Sequence, residues 1–148
     1  MKLIGLMLVK NESWVLEASL SHALKWCDEM GVVDTGSWDD SEQIVSKVSG
    51  KHPWRVHRSR MVPVKKAQIM NSFDGEYYEV EQEDPYGWWD EMDVRQHSLQ
   101  LGRRHGGTHF AMVDADEVLT ESLTGRVYTD IGALKPGQVL DYPMLSMR

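Results

Sequence analysis

Cysteine is nearly missing from this sequence. Cys27 is the only one in 148 residues, so no disulfide can form within the chain, and a reducing, cytoplasmic setting is the natural reading. Long hydrophobic runs are missing too: no stretch reaches the roughly 20 apolar residues that span a membrane. The opening "MKLIGLMLVK" has the look of a short signal core. It carries one leading charge and runs into "NESW" with no small-residue cleavage site, so it reads as a first strand. Positive charge is scarce. There are 16 Lys and Arg against 23 Asp and Glu, giving a formal net charge of -7. That balance argues against a broad nucleic-acid surface, but not against a small anionic ligand held by local groups. Glycine-rich phosphate loops are missing as well. "GSWDD" has a single glycine and no P-loop lysine, and no Gly-x-Gly-x-x-Gly follows the first strand. A Walker-type hydrolase and a dinucleotide-binding dehydrogenase are both disfavoured. The six histidines match no zinc-binding spacing.

What is present suits one globular domain over residues 1–148, with 41% hydrophobic and 26% charged residues. Lys2 to Val9 is a near-continuous apolar run, the pattern of a strand covered on both faces. From Ser13 to about Met30 the period changes: Leu16, Leu20, Ala23, Leu24 and Cys27 share a helical face, with Asn11 or Ser13 available as a cap. "MGVVD" is a short second strand ending at Asp34. A helix is expected from Asp40 to about Val48, and a third strand at Trp54 to Arg58. This order predicts an α/β fold with a central, mostly parallel sheet flanked by helices. Arg60 to Asp90 reads as an irregular insertion, mostly loop, with room for a short hairpin around Gly75. A helix should follow from about Glu91 to Arg104, then a fourth strand in "GGTHFAMVD". A last helix is expected from after Leu119 to near Leu134, and a further strand in "QVLDYPMLSMR".

Three strand ends carry polar groups at what should be one edge of the sheet: "VKNE", "VDTGSWDD" and "VDADE". Open parallel sheets bind ligands outside their carboxyl ends. Asp114 and Asp116 are placed to reach one hard cation, and their mutual repulsion is unfavourable without one. Magnesium or manganese takes such oxygen ligands and leaves positions for phosphate oxygens. An Asp-x-Asp tripeptide alone is common, and most copies are solvated turns or helix caps. The apolar strand before it, and Asp34 at a matching strand tip, are what single this one out. Glu117 is the next carboxylate, equally suited to capping a following helix.

The segments "MLVKNESWVLEASLSHAL", "VVDTGSWDDS" and "MVDADEVL", in that order, resemble the family 2 glycosyltransferases, nucleotide-sugar-dependent enzymes of the Rossmann-like GT-A fold. The resemblance covers Met1 to about Val48 and about Asp93 to Leu119. It implies that Asp34 accepts a hydrogen bond from the nucleobase, the imide N–H of a uracil. Lys10, Asn11 and Glu12 would line the nucleotide pocket. Asp114 and Asp116 would hold Mn2+ or Mg2+, with Asp116 the direct ligand and Asp114 nearer the ribose or behind the direct ligands. Arg95 would sit near the nucleotide, the alternative being a surface salt bridge. The implied reaction is metal-dependent transfer of a sugar from a UDP-linked donor to an unidentified acceptor. In the family the base that deprotonates the acceptor usually follows the acidic motif. Val118 to Arg148 offers no convincing one, so no base is assigned, and the expectation is a GT-A fold truncated on its acceptor side. A non-catalytic nucleotide-sugar-binding module is the alternative. A nucleotidyltransferase would need a basic, glycine-rich first loop, which "VKNESW" is not. Among other residues, Trp14 and Trp26 read as packing and His97 as a half-buried polar group. Lys65 and Lys66 read as an exposed pair, and Trp88 and Trp89 as a sugar lid or a loop anchor.

Overall fold

The chain runs β1 (Leu3–Val9), α1 (Leu16–Ala23), β2 (Glu29–Asp34), α2 (Ser41–Lys51), β3 (Val56–Arg60), β4 (Val64–Met70), β5 (Tyr77–Glu83), α3 (Glu91–Arg104), β6 (His109–Asp114), α4 (Glu121–Thr124) and α5 (Val127–Gly132). The computed structural model describes residues 1–70, 76–84, 86–87 and 90–142. Four strands form a parallel sheet in the order β3-β2-β1-β6. The apolar run of β1 puts it in the middle, where every residue but Leu8 is buried.

The period-two alternation of the strands divides the core. Leu3, Met7, Met30 and Val32 pack with Leu16 and Leu20 of α1 and Val45 and Val48 of α2. Val33 packs with Val94 and Leu101 of α3, so helices cover both faces. Gly5 is required by this packing. A Cβ there would collide with Met30 Sδ and lie 2.9 Å from Cys27 Sγ. No helix among the described residues is long and apolar enough to cross a membrane.

Several sequence expectations need correction. The first helix is much shorter than Ser13 to Met30, and no side chain caps its start. It stops because the guanidinium of Arg55 gathers the carbonyls that follow: Nη2 donates to Leu24 O (2.6 Å) and Cys27 O (2.8 Å), and Nε to Asp28 O (2.8 Å). Among its described residues the expected insertion is not mostly loop, and the short hairpin it allowed for has strands of 7 residues. β4 and β5 pair antiparallel from Val64↔Glu83 to Met70↔Tyr77. Among the residues of these two strands, only Ala67 and Val80, opposite each other, are half-buried. The expected turn at Gly75 lies outside the described residues. The last helix is split into α4 and α5 at Gly125, a weak helix former. The further strand is not formed over Gln138 to Tyr142, and the rest of it lies outside the described residues. Trp26 is buried as expected, but Trp14 is 77% exposed and packs no core.

Candidate functional site

Chain direction across the sheet reverses at β1, since β2 and β3 lie on one side of it and β6 on the other. The carboxyl ends of β1 and β6 therefore border a topological switch point, where such sheets leave a crevice. A crevice of about 240 Å3 lies there, and Val9, Lys10, Glu12, Thr35, Asp114 and Asp116 are in its walls. A larger apolar groove of about 800 Å3 flanks β6, lined by Trp26, Val113, Leu119 and Ile131. Its mostly apolar walls also carry Glu117, Lys135 and Asp141, but neither Asp114 nor Asp116.

The crevice rim is fixed by two loops bonded to each other. Asn11 takes a left-handed backbone (φ 59°), a conformation asparagine tolerates better than most residues. Its N–H donates to Ser37 Oγ, and its Oδ1 accepts from Trp38 N–H. The N–H of Glu12 donates to Ser41 Oγ, and that of Ser13 to Asp39 Oδ2. Asp39 also accepts from Ser41 N–H. Burial would raise the Asp39 carboxyl, but these Ser41 and Ser13 hydrogen bonds outweigh it and bring it down to about 2. The polar residues after β1 and β2 thus hold one another, which is why Asn11 and Ser13 do not cap α1.

Asp34 ends β2 and is 8% exposed. Its Oδ1 accepts from the N–H groups of Gly36 (2.8 Å) and Ser37 (2.9 Å), an Asx-type turn. Its Oδ2 is buried with no hydrogen-bond partner among the described residues. Such an atom is costly to leave unmatched.

The Asp-Ala-Asp segment alternates as its chemistry requires. Ala115 is buried, and its carbonyl accepts a hydrogen bond from the buried Ser19 hydroxyl of α1. Asp114 and Asp116 on either side are exposed, and neither forms an ion pair among the described residues. Lys10 contributes a positive charge to the same crevice. The turn closes with Glu117 N–H donating to Asp114 O and Asp114 N–H to Glu117 Oε2. Glu117 does not cap a helix, since the next one begins after Thr120. Its carboxyl is held above its ordinary range by burial and by the charges of Asp114 and Asp116, against the Asp114 N–H that lowers it. Unbalanced negative charge therefore collects at this rim.

Of the residues singled out from the sequence, Lys10, Glu12, Asp114 and Asp116 meet at the crevice. Asp34 directly precedes its Thr35 wall, and Asn11 sits in the clasp behind it. Arg95 is on the exposed side of α3 in an ion pair with Glu91 (2.7 Å) and is not part of the crevice wall. His97 is half-buried against Ser59 Oγ (2.7 Å). Lys66 pairs with Glu79 on the hairpin. Trp88 and Trp89 lie outside the described residues. Sequence reasoning missed Thr35, whose N–H and hydroxyl both donate to Val9 O, and Ser19.

No protein-family model matches this chain, and no curated protein matches it. Solved structures do. One such similarity is to TarS. Crystal structures of S. aureus TarS 1-349, one of them in complex with UDP, match with a TM-score of 0.52 at 18% identity. Each match covers 86% of this chain and 31% of the TarS chain, so this chain spans about a third of the TarS structures. The shared feature is the Rossmann-like α/β fold.

Proposed function

We propose that this chain binds a nucleoside-diphosphate sugar, with a uridine nucleotide, and forms the donor-binding part of a metal-dependent glycosyltransferase. The observation that carries the reading is the pairing of Asp114 and Asp116 on one crevice with Lys10, with no ion-pair partner for either acid among the described residues. The likeness to TarS, a glycosyltransferase with a UDP complex, supports it.

The donor set fits Mg2+ or Mn2+. Two carboxylates flanking a pinned alanine present oxygen ligands only, the preference of hard cations. When bound, such an ion supplies neutralisation of the charge that develops on the diphosphate leaving group. The chain's own groups do the rest. Lys10 offers its ammonium to a phosphate oxygen. Asp34 Oδ2, buried and without a partner among the described residues, would accept the imide N–H of the base once the ligand uncovers it. The clasp through Asn11 and Asp39 keeps both loops in place, so little ordering entropy is lost on binding. No side chain is assigned as the base that deprotonates the acceptor.

Calorimetry with UDP tests this reading. Binding should need Mn2+ or Mg2+ and fall at least about 100-fold in Asp116→Ala, the loss of a direct, charge-bearing contact. Unchanged UDP affinity in that variant, or equal affinity in chelator, would overturn the metal assignment. Hydrolysis of UDP-sugars then separates a transferase from a binding module, which would bind without turnover.

A further inference from the structure

A second group of ionisable side chains lies at the amino edge of the sheet, and the crevice makes no use of it. Glu29 opens β2, His57 lies in the neighbouring β3, and His105 follows the last turn of α3. A carboxylate oxygen of Glu29 and one ring nitrogen from each histidine all lie within 4.8 Å of one another. Glu29 and Asp34 stand at opposite ends of β2, so this cluster is roughly 17 Å from the crevice end at about 3.3 Å per strand residue.

We propose that Glu29, His57 and His105 form a binding site for a divalent transition metal of the zinc class, separate from the crevice. Two imidazoles and one carboxylate favour zinc or cobalt over magnesium and manganese, which prefer oxygen-only sites. Three protein ligands leave a fourth tetrahedral position for water. With bonds of about 2.0–2.1 Å, tetrahedral ligand atoms stand about 3.3 Å apart. Glu29 Oε2 and His57 Nε2, now 2.6 Å apart, must part slightly to admit an ion. The widest pair closes by at most about 1.5 Å, within reach of side-chain rotation. The imidazoles of His57 and His105 lie face to face, centroids 3.4 Å apart and 11° from parallel, so they tilt toward each other when both bind one ion.

Lys2 is the competitor built into the site. Its ammonium is 2.6 Å from Glu29 Oε1 and donates to the His105 carbonyl, so it is the cation on this carboxylate. An incoming metal displaces it. Removing that charge should therefore strengthen metal binding, whereas a network that serves only as a salt bridge would gain no metal affinity.

Cobalt(II) takes zinc's ligands and reports them by visible absorption, and the full chain without a histidine tag is the sample. Titration should give a saturable ligand-field spectrum that zinc displaces. Affinity should fall at least about tenfold in His105→Ala. It should rise about tenfold in Lys2→Met, the scale of a unit charge about 5 Å from a divalent ion. The spectrum should persist in Asp116→Ala, which separates this site from the crevice and leaves the proposal standing even if the nucleotide reading fails. No saturable spectrum in either the unaltered chain or Lys2→Met would overturn it. So would a spectrum unchanged by both His57→Ala and His105→Ala.

Discussion

At the amino edge of the sheet, Glu29 is held at 2.6 Å by both Lys2 and His57; at the carboxyl edge, Asp114 and Asp116 share a crevice with Lys10 and have no ion-pair partner among the described residues. The same strands supply both ends. The carboxyl groups record the difference. Burial would raise Glu29, yet hydrogen bonds from Lys2 and His57 hold it below its ordinary range. Glu117 is held above its own by burial and by its acidic neighbours. One edge has its charges matched from within, and the other leaves negative charge for something else to match. The proposed nucleotide site thus lies at the edge whose negative charge the described residues leave unmatched, where open α/β folds take their ligands.

The comparison is broken most directly at the amino edge. Arg55→Ala removes three charge-assisted bonds to the carbonyls that end α1, and nothing nearby replaces them. A loss of about 3 kcal/mol is expected in urea unfolding. Glu29→Ala comes next, at about 2 kcal/mol, because it strands Lys2 without a counter-charge and His57 Nε2 without its hydrogen-bond partner. If both variants unfold at the midpoint of the parent chain, the amino edge has no special structural role.

Which of these features the sequence discloses follows from how local each one is. β1, α3 and β6 announce themselves through runs and periods contained within the element, and the observed α3 spans the expected residues. Asp34 and Asp114 are legible for the same reason, each being the last residue of its strand, with Asp116 two residues further on. The end of α1 is not, since Arg55 arrives from a distant turn. A short hairpin around Gly75 is expected from the sequence, but its length is hidden because "YYEVEQE" exposes nearly every residue, so no burial pattern marks it as a strand. The Glu29, His57 and His105 cluster is assembled by strand register and a helix end, which no residue spacing encodes.

A smaller effect of opposite sign is expected at the carboxyl edge. Asp116→Ala relieves repulsion and removes no ion pair seen among the described residues, so stability should hold or rise by up to about 0.5 kcal/mol. The same substitution is the one expected to abolish metal-dependent UDP binding. A loss of 2 kcal/mol or more there would mean that Asp116 serves the fold, and the contrast between the two edges would fail.

Glu117 gives the finest test, through pH. An acid whose folded pKa lies above its unfolded value binds its proton more tightly in the folded chain. Folded stability from this group is therefore present below the ordinary 4.5 and is lost as pH rises through the higher folded value. Glu117→Gln keeps an oxygen to accept the Asp114 N–H while removing the charge. It should leave stability unchanged near pH 4 and raise it by less than about 1 kcal/mol at pH 7, as thermal midpoints at the two pH values would read. Saturating Mn2+ should shrink that gain, because a cation on Asp114 and Asp116 offsets the repulsion that the glutamine relieves. A gain indifferent to metal would mean that burial alone holds Glu117 high and that the neighbouring acids do not act on it as one charged rim.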